Sequence, residues 1–101
     1  MWLMGTLNEL FDPDRVAVVG ATSREGAVGR AVTSNLLDDF DGDTVPVNPN
    51  YDEVLGTPCI DGVGDADADV AVVVVPPSIV LDAIEACGAA GVRNVVVITA
   101  G

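Results

Sequence analysis

The chain has 101 residues, half of them apolar, and its 16 acidic against 4 basic residues give a formal net charge of −12. Because nucleic acids and anionic membrane surfaces bind clustered cations, this balance argues against both as partners. No window reaches the roughly 18–20 continuous apolar residues of a membrane span. With no histidine and two isolated cysteines, Cys59 and Cys87, the sequence offers no zinc-ligand pattern.

The acidity itself has two interpretations. A solvated surface is the simpler one, but all four basic residues are arginines and lysine is absent. This composition favours adaptation to molar salt, where a short Debye length relieves the repulsion between carboxylates. We therefore expect the protein to come from a halophile. Since Cys59 and Cys87 have no evident partner, we also expect reduced thiols and a cytoplasmic location.

In chain order, a short helical segment around Leu7, Leu10 and Phe11 precedes the first predicted strand, an apolar run at residues 16–20. Residues 27–40 then have the spacing of an amphipathic helix that lies on a sheet. Its apolar positions recur every four residues: Val28, Val32, Leu36 and Phe40. Residues 44–47 form the second predicted strand.

The region after the second strand has weaker signals. Residues 48–51, with the sequence Asn-Pro-Asn-Tyr, predict a loop at the carboxyl end of that strand. Residues 53–60 are predicted to be irregular, with a short edge strand near Cys59. The acidic loop at residues 61–69 is interpreted as a solvated face, because it lacks the ligand frame of a calcium loop.

Residues 70–75 are the strongest predicted strand, an unbroken apolar run that stops at Pro76. Pro77 can occupy the first position of the helix that follows. The buried face of this helix is predicted to contain four residues: Val80, Ala83, Ile84 and Cys87. Gly88 and Gly91 lie near its end, where glycine readily adopts left-handed backbone.

A final strand at residues 94–99 completes an alternation that is typical of a parallel α/β sheet. We expect one Rossmann-like domain over residues 1–101, with helices on both faces of the sheet, as the front part of a larger protein. Right-handed crossovers place strand 70–75 beside strand 16–20, with strand 44–47 on its other side. The winding then reverses between the loops that begin at Gly20 and Pro76, where a ligand is expected.

The turn after the first strand has the composition of an anion site. Its glycines, Gly20, Gly26 and Gly29, do not match the dinucleotide fingerprint, and the Gly-Lys-Ser/Thr of a P-loop is absent. Asn48 directly follows the second strand, at the point where NAD-binding folds commonly have a carboxylate for the ribose. We interpret the turn as a phosphate site formed by main-chain N–H groups at a helix amino terminus.

Five segments carry a more specific signal. They are VAVVGATSREGAVGRAV at residues 16–32, VPVNPNY at 45–51, VAVVVVPP at 70–77, EACGAAG at 85–91 and VVVITAG at 95–101. Together they resemble the CoA-binding domain of ADP-forming acyl-CoA synthetases, a family related to the α subunit of succinyl-CoA synthetase. The resemblance covers nearly the whole chain and implies a Rossmann-like domain that binds coenzyme A or acyl-CoA.

The resemblance also implies the binding residues. The CoA phosphates would lie against the first turn, at Gly20, Ala21, Thr22, Ser23, Arg24 and Gly26. The adenosine would be bordered by Val47, Asn48 and Pro49, and the pantetheine arm by Val75, Pro76 and Pro77. The thiol end would lie near Thr99, Ala100 and Gly101. The family often has a lysine where this chain has Asn50, so Arg24 or Arg30 would supply more of the positive charge.

In this family, a carboxylic acid is joined to CoA through an acyl phosphate and a phosphorylated histidine, and ADP is phosphorylated in the acid-releasing direction. The chain has neither a histidine nor an ATP-grasp-like region. The phosphoryl relay is therefore expected in later domains or in another subunit. We expect the chain alone to bind CoA without turnover, and we assign it no catalytic residue and no metal ligand.

Two alternatives stay open at this point. Similar domains are fused to protein acetyltransferases, so a CoA-sensing regulatory module would have the same features over these residues. An NAD(H)-binding Rossmann domain is the other alternative, although Asn48 in place of a carboxylate weakens it.

Overall fold

The computed structural model describes residues 14–98. Its strands are β1 (Arg15–Val19), β2 (Asp43–Val47), β3 (Glu53–Val54), β4 (Thr57–Pro58), β5 (Val70–Val73) and β6 (Asn94–Val97), and its helices are α1 (Val28–Asp39) and α2 (Val80–Ala89). The predicted segment at Leu7, Leu10 and Phe11 lies outside the described residues, as does Thr99. Within residues 14–98, no helix combines the length and the apolar character that crossing a membrane requires.

Four strands form one parallel sheet in the order β2-β1-β5-β6. Val16 of β1 is aligned with Thr44 of β2 on one side and with Val70 of β5 on the other. The central position of β1 explains its continuous apolar sequence, since a parallel strand inside an α/β sheet is covered on both faces. The predicted strand order is confirmed, and the winding reverses between β1 and β5.

The two helices cover opposite faces of the sheet. Ala17 of β1 belongs to a buried cluster that contains Cys87 of α2, whereas Val18 belongs to a cluster against which Val32 and Leu36 of α1 pack. Successive side chains of a strand point to opposite faces, so these two neighbours identify the two layers. The predicted Rossmann-like architecture with helices on both faces is therefore confirmed.

The first helix packs through smaller residues than the sequence predicts. Gly29 and Thr33 are its buried residues, while Val28, predicted to lie on the buried stripe, is 40% exposed. A Cβ atom on Gly29 would overlap the carbonyl oxygen of Gly20, so the first turn of α1 lies directly on the turn after β1. The close contact at Gly29 therefore takes the place of the contact predicted at Val28.

The second helix matches its prediction in part. Cys87 is fully buried, and Val80 and Ala83 pack against the same cluster, but Ile84 is 37% exposed and its predicted burial is wrong. Residues three and four apart form the contact stripe, and Ile84 lies at its border. Of the two glycines near the end of α2, only Gly91 is left-handed, with φ of +80°.

Two short elements differ from the predictions. Pro77 opens a single 3₁₀ turn, Pro77–Ile79, which precedes α2. In the region predicted to be irregular, β3 and β4 form a hairpin whose turn residues Leu55 and Gly56 both have positive φ, +52° and +81°. The predicted short strand near Cys59 is present as β4, which ends directly before Cys59, and Ile60 adds a single bridge to Val47 of β2.

Candidate functional site

A cavity of about 1050 Å³ lies at the carboxyl ends of β1, β2 and β5, where the winding of the sheet reverses. This volume is at the upper end of the range of roughly 300–1,000 Å³ found for small-molecule pockets. Eight residues that the sequence assigns to the site line it: Gly20, Thr22, Arg24, Val47, Asn48, Pro49, Val75 and Pro76. The cavity therefore brings together three separate loops.

Gly20 makes the sharp turn that opens the cavity. Its φ is +97°, and a Cβ atom there would overlap the carbonyl oxygen of Val74. The Gly20 N–H donates to the carbonyl oxygen of Val47 at 3.0 Å. Only glycine allows β1 to end this close to the backbone of both neighbouring strands, and the main chain is consequently exposed to a ligand.

The amino terminus of α1 is open toward the cavity. Ala27 is its N-cap and has no side-chain hydrogen bond, and no acidic residue lies in the first turn. Ala27, Val28 and Gly29 all line the cavity. The first N–H groups of a helix have no partner within the helix, so this terminus presents donors and a positive dipole end to an anion.

One bond between two side chains and one between a side chain and the backbone join the loop after β1 to the loop after β2. The hydroxyl oxygens of Thr22 and Tyr51 are 2.7 Å apart. Asn48 donates from Nδ2 to the carbonyl oxygen of Ala21 at 2.9 Å, and its Oδ1 accepts from the Asn50 N–H at 2.9 Å. The Nδ2 atom of Asn48 thus joins the two loops, while its Oδ1 atom stabilises the turn within its own loop.

Four residues of the predicted site do not line the cavity. Ala21 is fully buried beneath the loop, and the Ser23 hydroxyl accepts from the N–H of Leu55 at 3.4 Å. Gly26 and Pro77 are exposed and lie outside the lining. Thr99, Ala100 and Gly101 lie outside the described residues. Arg30 does not line the cavity either, because its guanidinium donates to the carbonyl oxygen of Ser23 at 2.6 Å.

The sequence reasoning missed part of the lining. Ile79, Asp82, Ala83 and Ala86 contribute one side of the cavity. Their spacing of three and four residues is the signal that would have identified them, since the helix after β5 starts at the carboxyl end of the sheet. Tyr51 gives no comparable signal, because its contact with Thr22 joins two loops that are 29 residues apart.

Charge is distributed unevenly around the cavity. Among the described lining residues, Arg24 is the one basic side chain, while Asp61 and Asp82 are acidic. An anionic group is therefore favoured beside Arg24 and the amino terminus of α1 and disfavoured near the two carboxylates.

The Cys59 thiol lies beside the cavity, where it donates to the carbonyl oxygen of the lining residue Asn48 at 3.5 Å. Burial raises the pKa of the Cys59 thiol, and the nearby carboxylates Asp61 and Asp52 raise it further. A neutral thiol is a poor nucleophile. Within residues 14–98, no group of three or more His, Cys, Asp or Glu side chains is placed to hold a metal ion.

The parallel sheet, the glycine turn, the open helix terminus and the cavity where the winding reverses define a Rossmann-like domain for a ligand with a nucleotide-like phosphate. Residues 14–101 match the family described as CoA binding domain, and the chain belongs to this family. The ligand of the family is coenzyme A.

Relatives of known structure or curated function agree with this assignment. The chain is 47% identical over 91 residues to an ADP-forming acetate–CoA ligase of Methanocaldococcus jannaschii, covering 88% of this chain and 13% of that protein. It superimposes with a TM-score of 0.85, at 44% identity, on an apo structure described as dinucleotide forming acetyl-coenzyme A synthetase 1 of Ca. Korarchaeum cryptofilum, covering 94% of this chain and 21% of that one. The chain thus spans less than a quarter of either relative.

A third relative is much shorter. The structure of a conserved hypothetical protein from Pyrococcus furiosus matches with a TM-score of 0.76 at 34% identity, over 83% of this chain and 73% of that chain. None of these three relatives is described as an acetyltransferase or an NAD-dependent protein. The two alternative functions therefore receive no support from them.

Proposed function

We propose that this chain is the CoA-binding part of an ADP-forming acyl-CoA synthetase and holds CoA in the cavity at the carboxyl ends of β1, β2 and β5. The main support is the position of that cavity, between a glycine turn and an uncapped helix terminus. The identity to ADP-forming ligases supports the reaction class. The acid substrate belongs to the class of small carboxylic acids on this proposal.

The binding residues follow from the charge and shape of the cavity. The CoA diphosphate lies beside Gly20, Thr22 and Arg24, where the N–H groups at the start of α1 and the guanidinium favour an anion. The adenosine borders Val47, Asn48 and Pro49 at the end of β2.

The pantetheine arm runs along the apolar side of the cavity. Val75 and Pro76 form its wall together with Ile79, Ala83 and Ala86. The thiol end lies toward Thr99, Ala100 and Gly101, which follow β6 in the sequence. Ala21, Ser23, Gly26 and Pro77 act indirectly in this proposal, by shaping the loops from outside the cavity lining.

The remaining chemistry lies outside this chain in our proposal. Residues 1–101 form one domain of a larger assembly, and its other domains or another subunit carry the phosphorylated histidine and an ATP-grasp region. The absence of histidine from the chain supports this division, as does the small share of its relatives that it spans, 13% to 22% of their length. Two of those relatives are named as α subunits.

Calorimetric titration tests the ligand. Samples of the 101-residue chain are titrated with CoA, acetyl-CoA and NADH, and we expect binding of the first two and none of the third. Incubation with acetate, CoA and ATP is expected to give no acetyl-CoA. Binding of NADH without CoA would overturn the ligand assignment, and turnover by the chain alone would overturn the division of chemistry.

We also propose that the protein functions in the cytoplasm of a salt-adapted cell. The net charge of −12, the lack of lysine and the two free cysteines support this proposal. Salt screens repulsion between carboxylates, because the Debye length falls from about 10 Å at 0.1 M to about 3 Å at 1 M. The free energy of unfolding should therefore rise with KCl, and equal stability at low and molar KCl would contradict salt adaptation.

A further inference from the structure

The hydroxyl groups of Thr22 and Tyr51 form a hydrogen-bonded pair at the cavity. Both side chains are half-buried and line the cavity, and their oxygens are 2.7 Å apart. Thr22 Oγ1 also accepts a hydrogen bond from the Arg24 N–H at 3.1 Å. Tyr51 thereby connects the loop after β2 to the glycine turn where the CoA diphosphate is proposed to lie.

A count of protons gives this pair a defined donor capacity. Each hydroxyl has one proton, and the bond between the two groups uses one of them. If Tyr51 donates, the Thr22 proton is left over, and if Thr22 donates, the Tyr51 proton is left over. Among the described residues, neither hydroxyl has another acceptor. One O–H donor therefore remains in either arrangement.

We propose that Thr22 and Tyr51 together supply a single O–H donor to a phosphate oxygen of CoA, and that either residue alone suffices. Because the two oxygens are only 2.7 Å apart, a phosphate oxygen within reach of one is near the other as well. The donor can change from one residue to the other by reversing the bond between them. This inference rests on the proposed function and adds Tyr51 to the residues of its site.

The shared donor has an unusual consequence for substitutions. Tyr51→Phe leaves the Thr22 proton free, and Thr22→Ala leaves the Tyr51 proton free, so one donor persists in each. Thr22→Ala/Tyr51→Phe leaves none. A hydrogen bond to a charged group contributes about 1.5–3 kcal/mol, which corresponds to roughly 10-fold to 150-fold in affinity. We expect each single variant to stay within about threefold of the wild type and the double variant to lose at least tenfold.

Calorimetric titration with CoA tests this inference on the 101-residue chain. Thr22→Ser/Tyr51→Phe is the matched control, because it differs from the double variant mainly in keeping one hydroxyl, and it should bind within about threefold of the wild type. Thermal unfolding without ligand verifies that each variant is folded. If the double variant does not fold, Thr22→Val/Tyr51→Phe replaces it and is expected to lose the same affinity.

The outcomes separate this inference from the function on which it rests. The shared donor would be overturned if each single variant lost CoA affinity and the double variant lost the sum of the two. It would also be overturned if the double variant bound CoA as the wild type does. Either result would leave CoA binding by the wild type intact. A wild-type chain that binds no CoA would overturn the proposed function itself. A loss confined to the double variant supports the shared donor.

Discussion

The two ends of the sheet are built from different interactions. At the amino end, the Asp69 carboxylate accepts from the N–H groups of Asp14 and Arg15 at 2.8 and 3.2 Å. Arg15 in turn donates to Asp43 and to the carbonyl oxygen of Ala66, both at 3.2 Å. At the carboxyl end, the described loops are joined by neutral hydrogen bonds and a glycine turn around an open cavity.

This difference separates stability from recognition. Charged groups at the amino end bind main-chain groups directly and fix where β1 starts. The carboxyl end leaves the N–H groups of α1 uncapped, and Arg24 is the one cation among the described residues that line the cavity. Substitutions at the amino end should therefore change the free energy of unfolding alone, and those around the cavity should change CoA affinity.

Gly20 both lines the cavity and lies against the backbone of β5, so its substitution should give the largest loss of stability. Gly20→Ala places a Cβ atom against the Val74 carbonyl oxygen in a residue with φ of +97°. We expect a loss of roughly 3 kcal/mol or more in the free energy of unfolding, measured with urea. Gly26→Ala is the control, because Gly26 also has positive φ, +81°, but open space around it, and should lose about 1 kcal/mol. Equal losses of stability in Gly20→Ala and Gly26→Ala would show that the positive φ alone, and not the contact with the Val74 carbonyl oxygen, determines the loss.

Asp69 tests the amino end of the comparison. Asp69→Ala removes the acceptor of two main-chain N–H groups, so we expect the free energy of unfolding to fall by about 2 kcal/mol. CoA affinity should remain unchanged in calorimetry. Asp67→Asn is the control, since the Asp67 side chain is 98% exposed and only 3.8 Å from the Arg15 guanidinium, an ion pair that contributes little. A change in CoA affinity with Asp69→Ala would contradict the expectation that substitutions at the amino end change only the free energy of unfolding.

The sequence predicts the sheet well because its signals are local. The apolar runs give the four strands. Gly20 directly follows β1, whereas β5 ends at Val73, before the stop predicted at Pro76, and both strand ends lie at the edge where the cavity lies. The buried face of α1 is less predictable, because Gly29 and Thr33 are buried by the close approach of α1 to the turn at Gly20. That approach is a tertiary contact, and periodicity alone gives Val28 instead.

The polar contacts of the site are the part that sequence patterns do not contain. The pair of Thr22 and Tyr51 and the bond from Asn48 to Ala21 join residues 27 to 29 positions apart. The hairpin of β3 and β4 has strands of two residues, which are too short for any period to appear. The position of the cavity could thus be predicted, whereas the partners of its side chains could not.

Arg24 tests the carboxyl end of the comparison. Arg24→Gln removes the one basic side chain of the described cavity lining, so CoA should bind about fivefold more weakly, as expected for about 1 kcal/mol at an exposed site. The difference from wild type should narrow between about 0.1 M and about 2 M KCl because salt screens the charge. Arg93→Gln is the control, since Arg93 is an exposed arginine just before the amino end of β6, outside the cavity. The same loss in both variants would mean that only net charge matters.

The smallest effects are expected for the two cysteines. Their rates of reaction with a thiol reagent compare the carboxyl end of the sheet with the core. Cys59 is partly exposed beside Asn48, whereas Cys87 lies in α2 and is fully buried between this helix and the sheet. Burial raises the pKa of both thiols above the ordinary value of about 9. In single-thiol variants, Cys87→Ala and Cys59→Ala, we expect a thiol reagent at about pH 8 to modify Cys59 slowly and Cys87 only on global unfolding.

The same shifts have a defined sign for stability. A thiol whose pKa is raised in the folded chain contributes stability that is complete below about pH 9 and is lost as the pH rises through the folded value. The free energy of unfolding should therefore fall as the pH rises above about 9, less steeply in Cys87→Ala than in the wild type. In the thiol-modification experiment, equal rates for Cys59 and Cys87 would mean that the carboxyl end opens only when the core unfolds. Recognition and stability would then not be separable in this fold.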